Sequence, residues 1–396
     1  MAQSSILQHF KLIFLMSIFA INMPYFGSFT IGSVLIAFFI LFRPDVLRKV
    51  PSLNLWKSLL GLFLLTGTIA DLINLQFFSN REFDSQVLYT SILRLWTYFS
   101  TLIFFSYILN NFTIRTILLC WFLVFVIISF FEALFLINIS FDVNPQLNIW
   151  KYALFLPVSA YLISKTKKNI LLNLSIFVLL ILVSYFFDSK GAIIILTSTI
   201  IIHLAVFQPK ARSGVPNLII FVVGSLPFLF AAFTLSKQSQ TLQNFLNDLS
   251  YAKILEDRKE AFGGLFSFRA NFIGWGLGHT MSEIDLNIAL EPYSLYSTKS
   301  QYKGLVYQNY LNDKIYFHSI IWDFWARYFL APFLAIFSGI LGVLRRKTHL
   351  LKLDLLHLFF LIQLVVDLMF STIGQFNDLF LIACLVHFFR TGINYD

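Results

Sequence analysis

Residues 170–207 read ILLNLSIFVLLILVSYFFDSKGAIIILTSTIIIHLAVF. Two apolar runs, 169–187 and 191–207, flank the polar break Asp188-Ser189-Lys190-Gly191. Each run approaches the roughly 20 residues that an α-helix needs to cross a hydrocarbon layer of about 30 Å. Working outward, similar runs recur at 10–24, 28–42, 58–75, 92–109, 116–137, 150–164, 217–236, 318–343, 353–371 and 376–390. The expected fold is therefore all-α, a polytopic transmembrane helical protein of about 12 spans, several of them short enough to require tilt or ragged ends. Residues 1–236 are expected to hold helices 1–9, 237–317 one large loop, and 318–396 helices 10–12.

Composition points the same way. Of 396 residues, 58% are apolar, 48 are Phe and only 12% are charged, against about 25% charged in an ordinary soluble domain. A soluble fold of this size has too little polar side chain here to cover its surface. The formal net charge of +9 is read against the spans rather than as a nucleic-acid footprint. If the N-terminus is cytoplasmic and the runs alternate, one side collects Lys11, Arg43, Arg48, Lys49, Lys57, Arg115, Lys165, Lys167, Lys168, Lys210, Arg212, Arg345, Arg346, Lys347, Lys352 and Arg390. The short loops of the other side hold only Arg81, Lys151 and Lys190, the asymmetry expected of cytoplasmic loops. Cys120 and Cys384 both lie in apolar runs and read as packed small hydrophobes, with no disulfide framework. The N-terminal run lacks a convincing small-residue cleavage site and is read as a retained span.

The segment 237–317 breaks the short-loop pattern, carrying eight basic and eight acidic residues and a run of tyrosines from Tyr251 to Tyr316. Loops this long are functional or disordered, and the aromatics argue for order. Within it, 257–273 (DRKEAFGGLFSFRANFI) reads as an amphipathic helix. Arg258 and Arg269 are three turns apart and share a face, with Phe262 and Leu265 between them. Two guanidiniums around an apolar strip suit a ligand with phosphate and lipid character; a surface helix with snorkelling arginines is the plainer reading. The Gly263-Gly264 pair weakens that helix.

The following segment, Gly274-Trp275-Gly276-Leu277-Gly278-His279, lacks the Lys-Ser/Thr of a phosphate loop and the strand of a dinucleotide fold. Gly276 and Gly278 read instead as supporting residues of a tight turn where the chain returns to the membrane. His318 opens the next run, with Trp322 and Trp325 on its face. Its imidazole at the mouth of a span suits a general base, or is simply solvated. Asp323 and Arg327, at i,i+4, point to the other side as a structural pair or a ligand clamp. Asp71, Arg94, Glu132, Asp188, Lys190, Asp367 and Asp378 lie in or beside apolar runs, where charges face partners or cavities. Arg94 is matched to Asp71 or Glu132. No matched pair of broken spans supports a transporter, and the scattered histidines form no metal set.

Together these features resemble the O-antigen polymerase and O-antigen ligase superfamily of bacterial envelope glycosyltransferases. Ser189-Lys190-Gly191 is similar to that family's Ser-Arg-Gly, with Lys for Arg. Arg258 with Phe262 resembles its Arg-x-x-x-Trp, and Asn271 through Gly278 its Pro-x-x-Gly-x-Gly without the proline. His318-Ser319 resembles its His-Asn. The resemblance implies a metal-independent inverting glycosyltransferase without cofactor, using an undecaprenyl-diphosphate-linked oligosaccharide. Arg258, Arg269 and Lys190 would bind the diphosphate and stabilise its developing charge, and His318 would be catalytic, deprotonating the acceptor hydroxyl. Repeat-unit polymerisation is preferred, with ligation to lipid A–core and glycan transport as alternatives. Membrane lipids and a chain-length regulator are the implied partners, nucleic acid is not, and the implied site of action is the bacterial inner membrane, with cytoplasmic termini and a periplasmic loop.

Overall fold

The computed structural model describes residues 2–20, 30–48, 50–78, 81–135, 154–165, 170–187, 189–206, 259–296, 320–345, 354–370 and 376–391. Every regular element among them is a helix, supplemented by one isolated antiparallel bridge between Phe83 and His279. The first half runs α1 (Ala2–Ala20), α2 (Ile31–Phe42), α3 (Pro44–Arg48), α4 (Leu53–Phe77), α5 (Ser85–Asn111), α6 (Ile114–Phe135), α7 (Phe155–Lys165), α8 (Ile170–Phe186) and α9 (Lys190–Val206). The second half runs α10 (Lys259–Ala270), α11 (Glu283–Tyr296), α12 (Ile320–Tyr328), α13 (Ala331–Arg345), α14 (Leu355–Phe370) and α15 (Phe376–Thr391).

Helix starts follow local chemistry. Thr30 and Asp84 sit in extended backbone and accept from the amides of Ser33 and Gln86, the ordinary N-cap arrangement. Pro44 opens α3, where its missing N–H costs nothing. The central element is α5, which packs against α2, α4, α6 and α15. Phe105 meets Trp121 of α6 and Phe380 of α15, and Phe63 of α4 meets Phe99. Hydroxyls bridge the same helices: Trp56 Nε1 donates to Ser106 Oγ at 2.8 Å, and Ser100 Oγ to Ser33 Oγ at 2.9 Å.

All-α structure agrees with the sequence expectation, but the twelve-span transmembrane layout does not. Among the described residues only α4 and α5 are long and apolar enough to cross a membrane. Of these, α5 has 72% of its apolar window buried inside the protein, so its hydropathy is spent on other helices. Several remaining helices, including α2, α7 and α14, have 12, 11 and 16 residues, short of a bilayer crossing at 1.5 Å per residue. The predicted span 318–343 is two helices, broken at Phe329, whose φ is +53°. The run 217–236 lies outside the described residues. Of the long loop, the described part, 259–296, is two helices and a buried turn packed against α4 and α12, and α10 lies within the helix expected over 257–273. These observations overturn the expected multi-pass inner-membrane layout with a large periplasmic loop. Hydropathy reports how apolar a run is, and it does not report which surface that run meets.

Long α4 positions the candidate site. Leu65, Ile69, Leu72 and Leu75 face outward, while Phe63, Gly67, Ala70 and Asn74 are buried. Phe63 packs on Phe324 and Tyr328 of α12. Gly67 is required by close approach: a Cβ there would stand 2.8 Å from Leu277 and 3.0 Å from the Arg327 carbonyl.

Candidate functional site

The turn 274–279 is held between α4, the 81–84 segment, α11 and α12. Gly274 and Gly276 have φ of +76° and +83°, conformations that a Cβ strains. At Gly276 a Cβ would also lie 2.5 Å from Asp71 Oδ1. The amides of Trp275 and Gly276 donate to the Ala326 carbonyl at 2.8 and 3.1 Å, satisfying an acceptor near the end of α12, where helices leave carbonyls unpaired. Phe329 ends that helix in the left-handed region. Thr66 Oγ1 donates to the Tyr328 carbonyl at 2.7 Å, tying α4 to the same end.

A charged cluster fastens the turn. Arg81 donates through Nε and Nη2 to the two oxygens of Asp285 at 2.9 and 2.7 Å, a bidentate pair. Its Nη1 donates to Asn74 Oδ1 and to the Gly274 carbonyl. Asn74 Nδ2 in turn donates to the carbonyls of Gly274 and Trp275. Trp275 Nε1, Ser282 N and Ser282 Oγ also donate to Asp285 Oδ2. The Asp285 amide donates back to Ser282 Oγ, so Ser282 and Asp285 cap α11 reciprocally. Burial raises the Asp285 pKa, but the Arg81 hydrogen bond and charge, with the Trp275 and Ser282 donors, more than offset this and hold it below the ordinary carboxylate value.

A second carboxylate stands one turn earlier on α4. Asp71 Oδ1 accepts from Gly278 N at 3.0 Å and lies 2.9 Å from His279 Nδ1. His279 is buried, with the Phe83 ring edge-on at 5.4 Å. Arg327, also buried, donates through Nη1 to the carbonyls of His279 and Gly276 at 2.8 and 3.3 Å. The cluster orients and clamps a turn: Arg81 and Asp285 face each other, and Arg327 faces backbone carbonyls of the turn.

The predicted site residues distribute as follows. Arg258 and His318 lie outside the described residues. Lys190 begins α9, but its side chain is outside what is described. Arg269 is exposed at the end of α10. Gly276 serves the turn, and that turn packs on α4 and α12 rather than marking a return to a bilayer. Gly278 is pinned through its amide to Asp71 and through its carbonyl to Asp84 N. Asp323 is half-buried and Arg327 serves the turn. Trp322 and Trp325, expected on one face, meet at 6.1 Å. Helix α10 seats on that face: Phe268 packs on both tryptophans, and Gly264 approaches so closely that a Cβ would lie 2.5 Å from Trp322. Trp325 Nε1 donates to the Phe272 carbonyl, so contacts advance together along both helices and the two run in the same direction.

Arg81, Asp285, Asn74 and the Asp71–His279 contact are not among the site residues that the sequence singles out. Two signals were present. Arg81 is one of the few cations on the wrong side of the charge split, and Ser282-x-x-Asp285 has the spacing of a helix cap. Among the described residues, no three His, Cys, Asp or Glu side chains are grouped to hold a metal ion. No protein family, curated protein or solved structure matches the chain.

Proposed function

We propose that this chain transfers a glycan from a polyprenyl-diphosphate-linked oligosaccharide to an acceptor hydroxyl, extending repeat units. The observation that supports this reading is the same-direction seating of α10 on α12 through Gly264, Phe268, Trp322 and Trp325. In sequence Arg258 immediately precedes α10 and His318 stands two residues before α12. The helices that follow the two motifs thus start at the same end of one packed pair. In the proposed reaction the acceptor oxygen attacks the anomeric carbon, and its proton passes to His318. The bond from that carbon to the diphosphate breaks, and the departing diphosphate keeps the electron pair beside Arg258. Lys190 adds a further cation in the proposal. Arg269 lies about 15 Å along α10 from its start, at 1.5 Å per residue, so it is assigned to a second phosphate-bearing group rather than to the same diphosphate.

The test is a detergent-solubilised assay of the purified full-length chain with a synthetic polyprenyl-diphosphate oligosaccharide, product length being read by mass spectrometry. Lengthened glycan supports repeat-unit extension, and transfer only to added lipid A–core supports ligation. His318→Ala should abolish product with the helical circular-dichroism signal intact, and Arg258→Gln should raise the donor KM. Absence of product from the wild-type chain, with donor moved only in sealed vesicles, would replace the proposal with transport.

A further inference from the structure

At the opposite end of α4 from the glycine turn, a cavity of about 370 Å³ opens between three chain segments. Its lining includes Arg48 from the end of α3, Lys57 from the second turn of α4 and Arg390 from the last turn of α15, with Ser52 and Asn54 between them. Among the described residues, no carboxylate lines it. None of the three cations makes an ion pair with a described residue, whereas neighbouring Arg43 is paired with Asp45. All three are exposed, so their charge reaches the solvent in the cavity.

Helix electrostatics explains part of this arrangement and leaves the rest unexplained. Arg48 and Arg390 stand at helix C-termini, where cations are favourable. Lys57 stands one turn into α4, beyond the first turn where the helix dipole acts most strongly, so the dipole gives no reason for a cation there, and that first turn carries no acidic residue. Ser52, at the N-cap, has φ +68° and makes no side-chain hydrogen bond to the first-turn amides. Three cations and an uncapped helix start therefore converge on one concavity with no counter-charge from its described lining.

We propose that this cavity binds a phosphoryl group, held by Arg48, Lys57 and Arg390 with hydroxyl and amide help from Ser52 and Asn54. Guanidinium forks match phosphate oxygens, and the ammonium adds a point charge. The volume admits a phosphorylated small molecule or a single headgroup. The site lies about 27 Å along α4 from Asp71, at 1.5 Å per residue. It stands independently of the transfer proposed above.

The full-length chain is titrated calorimetrically with sodium phosphate and with sodium pyrophosphate, against chloride at equal ionic strength. In parallel it is floated with phosphatidylcholine vesicles with and without phosphatidylglycerol. Saturable binding of phosphate or pyrophosphate assigns the cavity to a free phosphorylated ligand; binding only to phosphatidylglycerol vesicles assigns it to a headgroup. In either case each of Arg48→Gln, Lys57→Gln and Arg390→Gln should weaken binding by about twofold to fivefold, and the triple variant by roughly tenfold or more, the scale of exposed charge pairs. Arg43→Gln should bind as wild type. The single variants, which remove exposed side chains, keep the test decisive if the triple variant does not fold. Absence of binding to all probes, undiminished binding in the cavity variants, or an equal loss in Arg43→Gln would overturn the proposal.

Discussion

Replacing Asp285 with Ala should be among the most destabilising substitutions in this protein. The Asp285 carboxylate accepts from Arg81, Trp275 and Ser282, and the side chains of the ion pair are only 3% and 8% exposed. Removing it leaves a guanidinium buried without its counter-ion, which costs about 3–5 kcal/mol. Arg81 keeps Asn74 Oδ1, the Gly274 carbonyl and the Phe78 ring, 4.4 Å from its guanidinium carbon, so the lower half of that range is expected. The loss is a large share of a typical total of about 5–15 kcal/mol. Urea unfolding followed by tryptophan fluorescence measures it. The double variant Arg81→Met/Asp285→Leu removes the orphaned charge and should regain at least about 1 kcal/mol over Asp285→Ala, though Trp275 Nε1 still loses its acceptor. Acid sensitivity gives an independent check. The folded carboxylate titrates below its unfolded value of about 3.9. Its contribution is complete above that value and fades as the pH falls through the folded pKa. Asp285→Asn should flatten this part of the acid limb. An Asp285→Ala variant within about 0.5 kcal/mol of wild type, or a double variant no better than the single, would refute the idea that an uncompensated charge sets the cost.

Other perturbations probe the same end of the bundle. Gly276→Ala should destabilise by about 1–3 kcal/mol, because φ is +83° and the new methyl meets Asp71; a thermal midpoint equal to wild type would remove the steric argument. Thr66→Val deletes the hydroxyl bond to the Tyr328 carbonyl and should cost about 1 kcal/mol by denaturant titration. Cys120 and Cys384 are fully buried, so an aromatic disulfide reagent should leave both untouched in the native protein and label both once urea unfolds it.

Much of the helical layout was legible in the chain. The runs 28–42, 169–187 and 376–390 correspond to α2 (Ile31–Phe42), α8 (Ile170–Phe186) and α15 (Phe376–Thr391), because a long apolar run without a breaker favours helix in any apolar surroundings. The glycines of 274–278 also announced a turn, since left-handed backbone carries the same steric restriction everywhere. The surroundings of each run were not legible: α5 is as apolar as a membrane span, yet much of that surface meets α2, α4, α6 and α15. Nor does a run of apolar residues disclose that 318–343 breaks at Phe329, where the helix ends against the glycine turn.

Local sequence determined where helices form and where the backbone turns, because those choices depend on neighbouring residues and on the backbone itself. Only the tertiary structure decided that Arg81 meets Asp285, 204 residues away, and that Arg48, Lys57 and Arg390 line one cavity. Charge and burial energies depend on distances through space, and chain order leaves those distances open until the helices pack.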